Sequence, residues 1–244
     1  MSKQRLQKII AQAGVCSRRK AEILLAQNRV EVNGEKAHLG DKADPSSDNV
    51  YVDNLPVVKK LEHKVFLLNK PIGVISSCKD PHGRTTVLNL LPAKLCKGLH
   101  PVGRLDLNSR GAILLTNHGE LTLRLTHPRY SHTKTYHVKV EGIPSKGTLK
   151  EWRDGVILNG QPTLKASVHL LQSTKEQSLL KIILKEGRKR QIRRVAKLLG
   201  HPIVDLQRIA IGPIQLNNLQ EGQWRELRQS EYLMLTKLSN PKDS

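Results

Sequence analysis

The sequence predicts an α+β protein in two pieces: a small N-terminal helix-and-sheet module, then a larger unit built on a mostly antiparallel mixed sheet flanked by helices. Three observations carry this expectation. Apolar residues from Leu6 to Leu25 recur at helical spacing. A strand pattern with an Asn-Gly turn follows at once. Beyond residue 64, apolar or alternating runs separated by turn residues recur between shorter helical stretches. A length of 244 residues suits one or two domains, and 38% hydrophobic with 25% charged residues describes a globular chain.

Leu6, Ile9, Ile10 and Ala13 form one face of a helix that Gly14 ends. Ser17 caps a second helix, in which Ala21, Leu24 and Leu25 repeat the spacing and Asn28 stops it. Val30-Glu31-Val32 reads as a strand, Asn33-Gly34 as a two-residue hairpin turn, and Val50-Tyr51-Val52 as the strand completing the small unit. The charged run 59 to 64 reads as a linker, giving domains at residues 1–60 and 61–238 and a disordered tail at 239–244.

Val65-Phe66-Leu67-Leu68-Asn69 is then a continuous apolar strand, and Lys70-Pro71-Ile72-Gly73 turns into Val74-Ile75-Ser76. Residues 80 to 85 form an exposed basic loop, and residues 120 to 125 a short helix. The run from Lys134 to Val140 alternates, which puts Tyr136, Val138 and Val140 on one side of a strand. Leu149 to Trp152 make a helical turn, and Asn159-Gly160 a second hairpin signal. Residues 178 to 184 read as a buried strand, followed by a cationic block and by helical spacing through Ile192, Val195, Ala196 and Leu199. Gly212, Pro213, Gly222 and Trp224 suggest a strand-rich closing segment.

The formal charge of +20 is the strongest bulk signal, and a polyanion, most commonly nucleic acid, is the partner that tolerates it. A spanning helix is excluded, since no apolar run approaches the ~20 residues a bilayer requires. The N-terminus carries no signal-peptide core, so the expected location is cytoplasmic. Cys16, Cys78 and Cys96 are odd in number and unpaired in spacing, and the histidines lack an H-x-x-x-H pair, which argues against a disulfide framework or a zinc site. Neither phosphate-binding glycine motif is present, so the expectation is no metal and no nucleotide cofactor.

Two cationic clusters sit at helix starts. Arg18, Arg19 and Lys20 open the second helix, where cations oppose the macrodipole; an outside phosphate explains the placement, and a solvated basic face is the alternative. Arg188, Lys189, Arg190, Arg193 and Arg194 repeat the arrangement after Gly187.

Against this background stands Gly103-Arg104-Leu105-Asp106-Leu107-Asn108-Ser109-Arg110-Gly111, leading into the apolar run Ala112 to Thr116. Asp106 is a carboxylate in a chain otherwise suited to polyanions. It is either a turn residue bonding its own backbone or a chemical tool. Tyr136 likewise reads as a core aromatic or as a deliberate choice in a chain with only 3% aromatics.

The first 55 or so residues resemble the alpha-L RNA-binding domain, through Arg5-Leu6-Gln7-Lys8, Ala13-Gly14, Ser17-Arg18-Arg19-Lys20-Ala21 and Val30-Glu31-Val32-Asn33-Gly34. From residue 65 to about 235 the chain resembles ribosomal RNA pseudouridine synthases of the RsuA/RluB type. The resemblance rests on Asn69-Lys70-Pro71-x-Gly73, Gly-Arg-Leu-Asp106, Lys-Thr-Tyr136 and the block Gly-Arg-Lys-Arg-Gln-Ile-Arg193-Arg. His118, Ala112 and Arg110 depart from the family pattern.

What the resemblance implies is cofactor-independent conversion of a specific uridine of ribosomal RNA, in the 23S molecule or a pre-50S particle, by a monomer needing neither metal nor nucleotide. It implies that Asp106 is the ionised catalytic carboxylate and Arg193 its charge partner, with Arg188 the less favoured candidate. Tyr136 then stacks on the flipped base. RNA contacts fall to Arg18, Arg19, Lys20, Arg104, Arg188, Lys189 and Arg190. The competing reading is a non-catalytic rRNA-binding or assembly protein, which has no need for Asp106.

Overall fold

The computed structural model describes residues 3–58, 62–130 and 132–237, so the expected tail 239–244 and part of the linker lie outside the described residues. The chain divides into two compact units. The first holds the described residues up to Lys64 with Pro92–His100 and Thr116–Gly119. The second holds Val65–Leu91, Pro101–Leu115 and the described residues from Glu120 on.

In the small unit, helix α1 (Leu6–Gln12) and helix α2 (Arg18–Ala26) precede strands β1 (Val30–Val32), β2 (Glu35–Lys36), β3 (Val50–Val52) and β4 (Leu55–Pro56). Ser17 caps α2, its hydroxyl accepting from the Lys20 amide at 3.3 Å. The strands pair antiparallel in the order β2-β1-β3-β4. Asn33 and Gly34 both take positive φ, +54° and +89°, as a two-residue turn between right-twisted strands requires. Asp53 and Asn54 make a second such turn, at +52° and +61°, that the sequence did not announce because it lacks glycine. Leu6, Ile10, Ala21, Leu25, Val30 and Val52 form the core.

The large unit contains β5 (Val65–Lys70), β6 (Arg110–Thr116), α3 (Gly119–Thr126), β7 (Lys134–Glu141), α4 (Lys146–Asp154), β8 (Ser167–Ser173), β9 (Gln177–Leu184), α5 (Gln191–Leu198), β10 (Ile203–Ile211), β11 (Ile214–Gln215), β12 (Trp224–Glu226) and α6 (Gln229–Lys237). Its sheet runs β8-β9-β7-β10-β6-β5-β12, with β11 paired to β10. Strands β7, β8, β9 and β10 pair antiparallel, whereas β10 runs parallel to β6 with Arg208 opposite Gly111. The α+β mixed-sheet expectation is met. Strands β5 and β6 are buried along almost their whole length, as interior strands covered on both faces are.

After the turn at Lys70 to Gly73, Val74-Ile75-Ser76 contributes a single bridge from Ile75 to Thr86. Two local expectations differ. Residues 178 to 184 bury only alternate side chains, Ser178, Leu180, Ile182 and Leu184, because Lys181 lies on the outer face among the apolar residues. The closing segment ends in helix α6, which buries Leu235 and is tied down by two 2.7 Å bonds from Arg225 to Glu231.

Candidate active site

Asp106 sits in the turn that feeds β6. The turn closes through the Ser109 amide donating to the Asp106 carbonyl at 3.0 Å. On its other side Ser76 exchanges two hydrogen bonds with the Leu105 backbone, donating at 2.9 Å and accepting at 3.1 Å. Below the turn lies Lys70, whose ammonium is fully buried and donates to the Ser109 and Pro71 carbonyls, both at 2.8 Å. Burial pulls this lysine down to about 8, against the stabilising influence of Asp106.

The turn opens onto a pocket of about 840 Å³, within the usual range for ligand sites. Asp106, Tyr136, Arg193, Arg104, Arg188, Lys189 and Arg190 all line it, so the large-unit residues singled out from sequence share one cavity. Tyr136 is 9% exposed, with its ring in the wall contributed by β7. Asp106 and Glu186 are the carboxylates among the described lining residues. Glu186 is engaged internally: it accepts from the Leu164 amide, the Gln191 amide nitrogen and the Arg188 guanidinium at 2.7 to 3.0 Å. Asp106 is therefore the carboxylate left to meet a ligand.

Its ion-pair partner differs from the sequence expectation. Arg190 lies 3.5 Å from the Asp106 carboxylate, whereas Arg193 donates to the Asn108 carbonyl and the Ser109 hydroxyl, bracing the turn. Burial and the neighbouring Arg190 lower Arg193, partly opposed by Asp106 and Asp205. Arg190 reaches the carboxylate because its backbone is left-handed, φ +54°, at the entry to α5; Gly187, the residue expected to make this turn, is not in that region. The Asp106–Arg190 pair is partly exposed, so its own contribution to stability is about 0–1 kcal/mol.

Arg188, expected to face RNA, is instead bonded to Glu186 and to the Gln161 and Pro162 carbonyls of a neighbouring hairpin. Lys189, Arg190 and Arg104 are exposed. In the small unit, Arg18, Arg19 and Lys20 are exposed on the first turn of α2, which carries no acidic residue.

The family model for RNA pseudouridylate synthases matches residues 64–198, and the S4 domain model matches residues 4–49. The chain is 41% identical to an uncharacterised RNA pseudouridine synthase of Aquifex aeolicus, over 97% of this chain and 95% of that one. It is 40% identical to the ribosomal large subunit pseudouridine synthase B of Bacillus subtilis, over 97% of each. The chain belongs to the RNA pseudouridylate synthase family. A solved pseudouridylate synthase structure superposes with a TM-score of 0.69 at 31% identity, covering 95% of this chain and 99% of that one. The family carries an activity with it: the protein is an isomerase that converts uridine in RNA to pseudouridine, joined to an RNA-binding S4 domain.

Residues at the site to which the sequence assigned no role are Lys70, His132, Lys134 and Arg208. Lys70 lies beneath the Asp106 turn, and the other three line the cavity. The signal for Arg208 was available: it stands between Leu206 and Ala210 at alternate positions of β10, all three buried. A charge on the apolar side of an alternating strand is rarely incidental. Lys70, at the end of a continuous apolar run, gave the same kind of signal.

Among the described residues, no group of three or more His, Cys, Asp or Glu is placed to hold a metal, and no helix is long and apolar enough to cross a membrane.

Proposed function

We propose that this enzyme isomerises one uridine of large-subunit ribosomal RNA, with Asp106 as the reacting carboxylate. The observation that carries the reading is the Asp106 carboxylate, paired with the exposed Arg190 and not tied into the wall as Glu186 is, in a pocket whose other charged residues are almost all cationic. A polyanion is drawn to such a surface, and a carboxylate held in it by a braced turn is suited to covalent or electrostatic work on a bound base. The name of the Bacillus subtilis relative supports the large-subunit assignment.

Tyr136 provides the surface on which the unstacked base rests, replacing contacts worth roughly 1 to 3 kcal/mol per base. Arg193 fixes the turn through Asn108 and Ser109, and Arg190 neutralises Asp106. Arg104 and Lys189, exposed at the pocket, hold flanking phosphates. Arg18, Arg19 and Lys20 do the same from the N-terminal domain, residues 1–60, while residues 61–238 carry the chemistry. The protein acts as a monomer in the cytoplasm, on 23S RNA or a pre-50S particle.

The test is Asp106→Asn, assayed by pseudouridine-specific chemical labelling of ribosomal RNA. The expected outcome is turnover lowered by at least about 10³-fold with RNA affinity retained. Normal turnover in the variant sinks the assignment. Labelling with and without the gene also locates the modified nucleotide.

A further inference from the structure

One wall of the pocket is cationic without a counter-ion. Arg208 is 3% exposed; its Nε donates to the Ala112 carbonyl at 2.6 Å, and its Nη2 has no protein partner. His132 is 7% exposed, and its Nε2 is likewise without a partner. Lys134 donates to the His132 carbonyl at 3.1 Å, and burial together with the Arg208 charge lowers it. Among the described residues neither Arg208 nor Lys134 has a carboxylate within salt-bridge reach. The unpartnered Arg208 and His132 nitrogens are costly to keep buried, and with Lys134 they line the cavity shared with Asp106 and Tyr136. Arg208 is moreover the cross-strand partner of Tyr136.

We propose that Arg208, with Lys134 and His132 beside it, forms an oxyanion subsite that receives the carbonyl oxygens of the flipped uracil. The proposal rests on the reading of this pocket as the uridine site. A phosphodiester is tethered to chain on both sides and suits the exposed rim, where Arg104, Lys189 and Arg190 lie. A flat base seated on Tyr136 is the group that reaches a guanidinium buried beside it.

The chemistry gives the subsite a purpose. When the C1'–N1 bond breaks, its electron pair stays with uracil and spreads onto O2 and O4. Attack by the carboxylate at uracil C6 also places charge on a carbonyl oxygen, so glycosidic cleavage and C6 attack alike develop negative charge at these atoms. Formation of the C1'–C5 bond uses that charge; the C5 proton is lost and N1 gains one, so nothing is consumed. Donors fixed where charge develops act on the rate more than on ground-state binding.

The experiment uses the full-length protein and two RNAs of one sequence around the mapped site, one with uridine and one with a stable abasic residue at the target. Arg208→Met is expected to slow single-turnover conversion by about 10²-fold and to shrink the affinity ratio between the two RNAs, with abasic affinity unchanged. Arg208→Lys is expected to recover part of both. Parallel loss of affinity for both RNAs, which a phosphate contact or a purely structural strut produces, overturns the proposal, as does an unchanged rate. Should Arg208→Met fail to fold, Lys134→Met is read with the same pair, and an unchanged ratio there overturns it. The affinity ratio does not depend on Asp106. An active Asp106→Asn with a ratio that still responds to Arg208 refutes the catalytic assignment alone, and an inactive one with an insensitive ratio refutes the subsite alone.

Discussion

Replacing Gly111 by alanine perturbs the sheet where β6 lies against the backbone of β10. Gly111 has φ +110°, a region that side chains rarely adopt, and a Cβ built there falls 2.2 Å from the Arg208 carbonyl oxygen and 2.7 Å from its amide nitrogen. Both atoms are backbone of β10, so no rotamer relieves the overlap. The backbone strain costs about 1–3 kcal/mol. Forcing β6 and β10 apart adds a further ~1–3 kcal/mol, by analogy with overpacked cores. The total is about 2–6 kcal/mol, equivalent to a Tm lowered by roughly 4–24 °C in a domain of this size. The control is Gly212→Ala, at φ +53° with no atom within 4 Å of the new methyl, where only the handedness cost of about 1–2 kcal/mol applies. Thermal and urea unfolding of the two purified variants decides the matter. Equal destabilisation would falsify the argument that close strand approach explains this glycine.

Two further outcomes follow from the charge arrangement. Replacing Arg18, Arg19 and Lys20 together by alanine is expected to reduce the slope of log affinity against log salt by about 2 to 3, since each phosphate contact contributes ~0.7–0.9; an unchanged slope removes these residues from the RNA interface. Burial holds Lys70 near 8, below its ordinary value, so in the interval from about 8 to ~10.5 the unfolded chain binds more proton at this residue than the folded one. Its contribution to stability therefore improves as pH rises through that window and is worst below it. The unfolding free energy of the native protein minus that of Lys70→Met should rise with pH between those limits, and a flat difference contradicts the burial argument.

Patterns set by backbone periodicity were legible in the sequence. The alternation that placed Tyr136, Val138 and Val140 on one buried side of a strand needed no tertiary information, and the Ser17 cap and the Asn33-Gly34 turn are local chemistry. The Asp106 turn was legible too, because an acid between glycines and arginines conflicts with the charge of the chain. Assigning tasks within the cationic block was not. Arg188, Arg190 and Arg193 are alike in composition, and only the left-handed backbone at Arg190 and the carbonyls of a distant hairpin sort them into a carboxylate partner, a turn brace and an internal strut. Helix α6 escaped notice because glycines and a proline before it suggested strands, while the Arg225–Glu231 pair that anchors it is a tertiary interaction. Lys70, Lys134 and Arg208 received no role at the site because each sits at the end of or inside an apolar or alternating run and belongs to no cationic cluster.

The parallel pairing of β6 with β10 has a consequence for the order of events at birth. Arg110 is clasped by Asp205, 95 positions later, and Gly111 lies against Arg208, so the strand that carries the Asp106 turn has β5 behind it in the chain but acquires its second neighbour, β10, only when roughly five-sixths of the polypeptide has been made. The helices and hairpins at the front share a core complete by Val52. A nascent chain thus owns its means of holding RNA well before it owns a finished reaction centre.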